Sequence, residues 1–248
     1  QDEHEQSLKN FWLDFGITRS LVKRNVMTVP YGVTPRGMEN QLADYFRKEN
    51  KINILPYKGI TFLVKIIDQA INNKLNSSKV AMKWLKEVAS ILPGGFKWCT
   101  PSGYTMYMEA QKTKKQRITT VYGTQKISVV FKQPINAFNK TKQRSNIAPN
   151  FIHSLDASHL ALTVNRFFKE VENPSFASVH DSYATHACDV EKLQSILREE
   201  FVNIHKINQL ENFKHQIHQQ YPDIDLPDVP KEGNLDIHKV IHSKYFFS

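Results

Sequence analysis

The chain has 248 residues, of which 40% are hydrophobic and 11% aromatic, enough to bury a real core and too apolar for intrinsic disorder. Thirty-three Lys and Arg stand against 24 Asp and Glu, a net charge of +9 that suits a polyanionic partner, nucleic acid first. Only Cys99 and Cys188 occur, which excludes a disulfide framework and points to a reducing compartment. No stretch approaches the roughly 18 unbroken apolar residues of a membrane helix, so no membrane partner is expected. The acidic start, Gln1-Asp2-Glu3-His4-Glu5, has neither an initiating Met nor a targeting pattern, which gives the expectation of a processed or excised piece.

In chain order, the first informative segment runs from Gly16 to Gly32. Thr18 is a plausible N-cap, and Arg19, Lys23, Met27 and Tyr31 follow at four-residue intervals, predicting a helix over 18–31 with one slowly winding stripe roughly 18 Å long. Two cations, a soft apolar side chain and a phenol beside Gly32 are the order a nucleoside triphosphate wants: a fork and a point charge for phosphate, then contacts for base and sugar. The same spacing also suits a solvated basic face ending in two core residues, and spacing alone does not separate the two.

Apolar residues at helical spacing predict helices over about 59–73 (Phe62, Leu63, Ile66, Ile67, Ala70), 79–92 (Trp84, Leu85, Val88, Ile91, Leu92) and 190–205 (Leu193, Leu197, Phe201, Ile204). Pro93-Gly94-Gly95 stops the second. Alternation around Pro101-Ser102-Gly103 predicts a hairpin, and Val121-Tyr122-Gly123-Thr124 could turn another. The fold class is α+β with helix dominant. On the helix through Ala148–His159, His153, Asp156 and His159 at i, i+3 and i+6 fan over about 120°, a poor fit to one zinc ion. Phe176–Ala187 reads as two short strands meeting at His180-Asp181-Ser182. Asp181 is either a turn former or a carboxylate on a rigid strand end, able to ligate Mg²⁺. Two-metal chemistry needs more than this one carboxylate. The aromatic tail Tyr245-Phe246-Phe247-Ser248 is expected to dock.

Three ordered segments carry a resemblance. Thr-Arg-x3-Lys-x7-Tyr-Gly (Thr18 to Gly32), Ala-Pro-Asn-Phe-Ile-His-Ser-Leu-Asp-Ala-Ser-His (148–159) and Val-His-Asp-Ser (179–182) resemble the single-subunit DNA-directed RNA polymerases of phages and mitochondria. Phe96–Gly103 resembles that family's segment near the template strand, and the aromatic terminus resembles its mitochondrial branch. The resemblance implies a right-hand polymerase fold, with fingers over 1–152 and the second part of the palm over 153–248. It implies that Arg19 and Lys23 contact the triphosphate, that Tyr31 with Gly32 senses the ribose 2′-hydroxyl, and that Met27 lies on the same nucleotide-binding stripe. It further implies that His153 supports the ribose choice from the minor groove, that Asp181 binds catalytic Mg²⁺, and that the carboxylate of Ser248 approaches the active centre.

The implied partners are a DNA template, the RNA product and ribonucleoside triphosphates. The family's other metal-binding Asp belongs to a motif not found in this sequence, so a missing N-terminal polymerase region is expected in cis or in trans, and the chain alone is expected to be inactive. A DNA polymerase relative is one alternative, but such enzymes typically carry an aromatic at the position of Met27 and Glu at that of Ser182. A non-catalytic nucleic-acid-binding remnant is the other, although a remnant has no need of Arg19, Lys23, Tyr31 and Asp181 together. Pro30 precedes Tyr31 and removes a backbone donor, which predicts a kink there. Lys112, Lys114, Lys115, Arg117, Lys140, Lys142 and Arg144 are candidate backbone-phosphate contacts. The aromatic terminus favours mitochondria over a mitochondrial plasmid or a phage.

Overall fold

The computed structural model describes residues 2–29, 31–49, 57–179 and 181–246. Helices predominate, joined by three separate two-stranded antiparallel sheets. The chain divides into two compact units, residues 1–85 and 86–248.

The first unit contains α1 (Asp2–Phe15), α2 (Arg19–Thr28), α3 (Pro35–Lys48), α4 (Tyr57–Lys74) and the first part of α5 (Asn76–Ile91). Its core gathers Trp12 of α1, Leu21 of α2, Met38, Leu42 and Phe46 of α3, and Leu63, Val64 and Ile67 of α4. The Trp12 indole donates to the Gly59 carbonyl at 3.1 Å, so the largest side chain of that core leaves no buried donor unpaired. α3 has no counterpart among the helices expected from the sequence, although its start is well marked. Thr34 accepts from the Gly37 amide at 3.1 Å, and Pro35 follows at the first helical position.

The second unit is built on α6 (Lys140–Glu170), 31 residues long with Pro149 in its interior. The hairpin of β1 (Phe96–Cys99) and β2 (Thr105–Met108) is fixed to it. The Trp98 indole donates to the Ser154 hydroxyl at 3.2 Å, and the Ser102 and Ser158 hydroxyls lie 3.2 Å apart. α7 (Val190–His205) packs on α6 through Phe167, Leu193, Ile196 and Leu197. Arg166 also reaches across it, bonding Glu199 at 2.5 Å and Glu200 at 3.0 Å. β3 (Gln111–Tyr122) and β4 (Gln125–Phe138) form a ribbon far longer than the turn at Tyr122-Gly123 suggests. Gly123 supplies the left-handed backbone of that turn, φ +60°.

The edge of β1 is covered by α8 (Gln209–Gln220) in an unusual way. Gln216 and Gln220, one turn apart, each use both ends of the amide. Gln216 accepts from the Cys99 amide at 2.6 Å and donates to the Cys99 carbonyl at 3.3 Å. Gln220 accepts from the Lys97 amide at 3.0 Å and donates to its carbonyl at 2.7 Å. Two side chains thus stand in for a neighbouring strand and close an edge that would otherwise invite pairing. Replacing both glutamines by Ala removes four bonds, and at about 0.5–1.5 kcal/mol each, discounted for exposure, should lower unfolding stability by about 2 kcal/mol in urea titration.

Candidate active site

The four-residue stripe of Arg19, Lys23, Met27 and Tyr31 lies in the first unit, its first three members on α2. Thr18 caps that helix as expected, its hydroxyl accepting from the Leu21 amide at 3.4 Å. Leu21, Asn25 and Val29 turn into the core at 2%, 1% and 7% exposure. Asn25 donates to the Met38 carbonyl at 3.1 Å, tying α2 to α3. Two residues of helix turn through about 200°, so burying 21 and 25 puts 19, 23 and 27 on the opposite side. Arg19 and Lys23 are exposed there, and Met27 and Tyr31 are 55% and 37% exposed, which removes the reading of these last two as core residues. Arg24, one residue off the stripe, reaches Asp44 at 3.9 Å. Among the described residues neither Arg19 nor Lys23 has a carboxylate at salt-bridge distance, so both cations remain available to an anion.

The helix is shorter than the expected 18–31. Regular α-helix ends at Thr28, and Tyr31 stands in the turn that follows. The physical reason is a Schellman-type terminus: the Val33 amide returns to the Thr28 carbonyl at 3.2 Å and the Gly32 amide to Val29 at 2.8 Å. Gly32 takes the left-handed position that this closure requires, with φ +79°. Tyr31 is therefore placed by the glycine after it. Pro30, on which the expected kink rests, lies outside the described residues.

In the second unit, β5 (Ala177–Val179) and β6 (Ser182–Ala184) pair antiparallel, Val179 opposite Ser182. This agrees with the expected strands, and Asp181 stands exposed in the turn between them; His180 lies outside the described residues. Asp181, Tyr183, Thr185, Leu193, Gln194 and Leu197 line a hollow of about 400 Å³. Burial raises the Tyr183 phenol above its ordinary pKa, and the charges of Asp156 and Asp181 raise it further. Asp156 is exposed as a residue, yet partial desolvation raises its carboxyl, against the pull of His153, His159 and His205 and with a push from Asp181. Asp156, Tyr183 and Asp181 thus share one electrostatic neighbourhood, and His153, exposed one turn before Asp156 on α6, belongs to it.

His159 points elsewhere. It is buried, its Nε2 lies 2.8 Å from the Leu197 carbonyl of α7, and its ring meets Phe201 edge-on at 5.8 Å. The His153–Asp156–His159 fan is therefore split by its own helix, with two members at the surface and one holding α7. Burial lowers the pKa of His205, at the end of α7, and His159 adds to that shift while Asp156 opposes it. Of the tail expected to dock, Phe246 does, its ring packing 4.8 Å from Phe201 and 6.5 Å from His159, whereas Tyr245 stands 80% exposed. Phe247 and Ser248, and with them the terminal carboxylate, lie outside the described residues.

As a metal site the donor set is partial. An exposed carboxylate at the mouth of a hollow suits a hard cation. Among the described residues no three His, Cys, Asp or Glu side chains come together to hold one. Asp181 is a single exposed carboxylate and does not by itself make up a cation's donor set.

The profile of the DNA-dependent RNA polymerase family matches residues 1–225. The chain belongs to the DNA-dependent RNA polymerase family. It is 32% identical over 240 residues to DNA-directed RNA polymerase 1, mitochondrial, of Arabidopsis thaliana, covering 94% of this chain and 24% of that protein. It is 33% identical over 244 residues to DNA-directed RNA polymerase 2, chloroplastic/mitochondrial, of the same plant, covering 94% and 23%. It is also 33% identical over 244 residues to DNA-directed RNA polymerase 2A of Nicotiana tabacum, covering 94% and 70%. The chain thus spans about a quarter of the length of the first two polymerases.

The sequence motifs of this family member do not mark Asp156 as a neighbour of Asp181, nor Asn25 and Gly32 as the residues that set the stripe's orientation and end. The signal for Gly32 was present in its place just after the last periodic residue. Gly32→Ala forces an L side chain into the left-handed region and should cost about 1–2 kcal/mol, read as a lower denaturation midpoint with unchanged far-ultraviolet dichroism.

Proposed function

We propose that the chain is the carboxyl-terminal part of a DNA-templated RNA polymerase, with fingers over 1–152 and the second part of the palm over 153–248. The observation that carries this reading is the stripe on α2. The residues that resemble the family's triphosphate contacts are the ones the helix turns outward, and its two cations have no acidic partner among the described residues.

The reaction is attack of an RNA 3′-hydroxyl on the α-phosphorus of a ribonucleoside triphosphate. A new phosphodiester bond forms, the bond to the β-phosphate breaks, and pyrophosphate leaves. Arg19 forks onto phosphate oxygens and Lys23 adds a compact charge, so both balance the charge that develops on the departing pyrophosphate. Tyr31, fixed by Gly32, and His153 face the sugar and favour the ribonucleotide. Asp181 would hold Mg²⁺. When bound, two such ions supply a lowered pKa for the nucleophile and charge stabilisation for the leaving oxygens. A second carboxylate is needed for them, and a polymerase region beyond this sequence would supply it in cis or in trans.

Base pairing with the DNA template reads sequence, so the protein needs mainly backbone contacts. The exposed Lys112, Lys114, Lys115 and Arg117 of β3, and Lys140, Lys142 and Arg144 at the start of α6, would supply them. The two Arabidopsis relatives are named as mitochondrial and chloroplastic/mitochondrial enzymes, and the aromatic terminus favours mitochondria for this chain.

The test is RNA-primer extension on a DNA template with Mg²⁺ and ribonucleotides, using the chain mixed with a polypeptide that carries the missing palm motif. Extension should require both. Asp181→Asn should abolish it while template binding persists, and Arg19→Ala or Lys23→Ala should raise the nucleotide KM by roughly tenfold or more, the worth of a charge-assisted hydrogen bond. Normal turnover by Asp181→Asn, or extension by the chain alone, would refute the assignment.

A further inference from the structure

A hollow of about 450 Å³ lies in the first unit between α2 and α4, and Arg19, Lys23, Met27 and Tyr31 take no part in its lining. One face of α4 supplies most of it. Leu63, Ile67 and Ile71 form a buried floor at one-turn spacing, and Ile66, Ala70 and Lys74 run beside them in a second row of the same spacing. The facing wall is Val22 and Val26 of α2, again one turn apart, with Ile17 just before that helix. Ile17, Val26 and Ile66 are 49%, 37% and 37% exposed, so three uncovered aliphatic side chains meet at one concave place. Single exposed aliphatics are ordinary, but a concave apolar site of this volume is the usual form of a small-molecule pocket.

Among the described lining residues only Lys74 has a polar side chain. It ends α4 and is exposed, so its aliphatic stem can extend the wall while the ammonium stays in water at the rim. The one acid of α4, Asp68, is held by Lys79 at 2.9 Å, and no carboxylate among the described residues stands at salt-bridge distance from Lys74. A dry aliphatic trough with one cation at its end suits a ligand of the opposite make, an aliphatic chain that ends in an anion. An extended peptide would bring backbone amides that nothing in the trough can satisfy. A two-fold contact with a second copy would bring two Lys74 side chains to one seam.

We propose that this hollow binds an aliphatic carboxylate of medium chain length, its chain laid between Val26 and Ala70 over the buried floor and its carboxylate on the Lys74 ammonium. A bound chain braces α2 against α4, so the helix that carries Arg19 and Lys23 is the element it steadies. The site is independent of whether α2 holds a nucleotide.

The experiment is calorimetric titration of the full 248-residue chain with hexanoate, octanoate, decanoate and decanol, all below micelle-forming concentration. One decanoate should bind per chain, and each methylene added from hexanoate to decanoate should tighten binding by roughly threefold to fourfold, the worth of a buried CH₂. Decanoate should also raise the melting midpoint. Ala70→Phe places a ring in the hollow from an exposed position and should abolish binding while the free chain keeps its midpoint. Lys74→Gln should weaken decanoate by roughly threefold, the worth of an exposed ion pair, and leave decanol unchanged. No binding, or binding of many molecules per chain that persists in Ala70→Phe, would overturn the proposal. Equal decanoate affinity in Lys74→Gln and wild type would overturn it too, because the carboxylate would then have no partner. Self-association in sedimentation that Ala70→Phe abolishes would give the hollow to a second copy instead. Loss of decanoate binding once the chain assembles with a polypeptide carrying the missing palm motif would give it to another part of the polymerase.

Discussion

The hydrogen bond from the Trp98 indole to the Ser154 hydroxyl, buried at both ends, is the interaction on which the second unit depends. It fixes the β1–β2 hairpin to α6 at one point, and the Ser102–Ser158 pair one turn along fixes its orientation. From that anchor the rest follows by packing. Phe213 of α8 stacks edge-on against Trp98 at 5.7 Å and Phe151 at 5.3 Å, so α8 is seated where its two glutamines can close the β1 edge. The ribbon leaves from the same hairpin, and its root is held by the Asn139 amide on the Ala110 carbonyl at 2.7 Å. On its other flank α6 carries α7, whose side chains floor the hollow beside Asp181.

In the first unit the governing constraint is the division of α2 into a buried side and an exposed one. Leu21 and Val29 bury one side of the helix in the core, with Val22 packed beside them. Asn25 fixes the rotation of that side, because its amide meets the Met38 carbonyl, and it does so at a cost: its own Oδ1 is buried with no hydrogen-bond partner among the described residues. A polar contact that gives up stability in exchange for orientation is what a helix needs if the opposite side must present Arg19, Lys23 and Met27 in a fixed direction.

Much of this was legible in the sequence, for identifiable reasons. α4, α5 and α7 carry apolar stripes at helical spacing, and the observed elements begin and end within a few residues of the expected ones. The β1–β2 and β5–β6 turns declared themselves through Pro101-Ser102-Gly103 and His180-Asp181-Ser182. What escaped depends on tertiary partners. α8 is rich in Gln and His, and its role appears only when the β1 edge lies beside it. The length of the ribbon escaped because exposed strands with lysines on one face lack the clean alternation of a half-buried sheet. The end of α2 escaped because periodicity continues to Tyr31 while the backbone hydrogen bonds already close on Gly32. Of the candidate site, Arg19, Lys23, Met27, His153 and Asp181 stand exposed on the elements where the motifs put them, whereas the neighbourhood of Asp156 and Asp181 is a product of folding.

The proposed role of α2 is to hold a nucleotide's triphosphate through Arg19 and Lys23. The most direct measurement is calorimetric titration of the chain with a ribonucleoside triphosphate, the matching diphosphate and the nucleoside, repeated with the Arg19→Ala/Lys23→Ala double variant. The account predicts affinity that falls from triphosphate to diphosphate to nucleoside, and a triphosphate preference that disappears in the double variant. Equal affinity for all three ligands, or an undiminished triphosphate preference without the two cations, would contradict it.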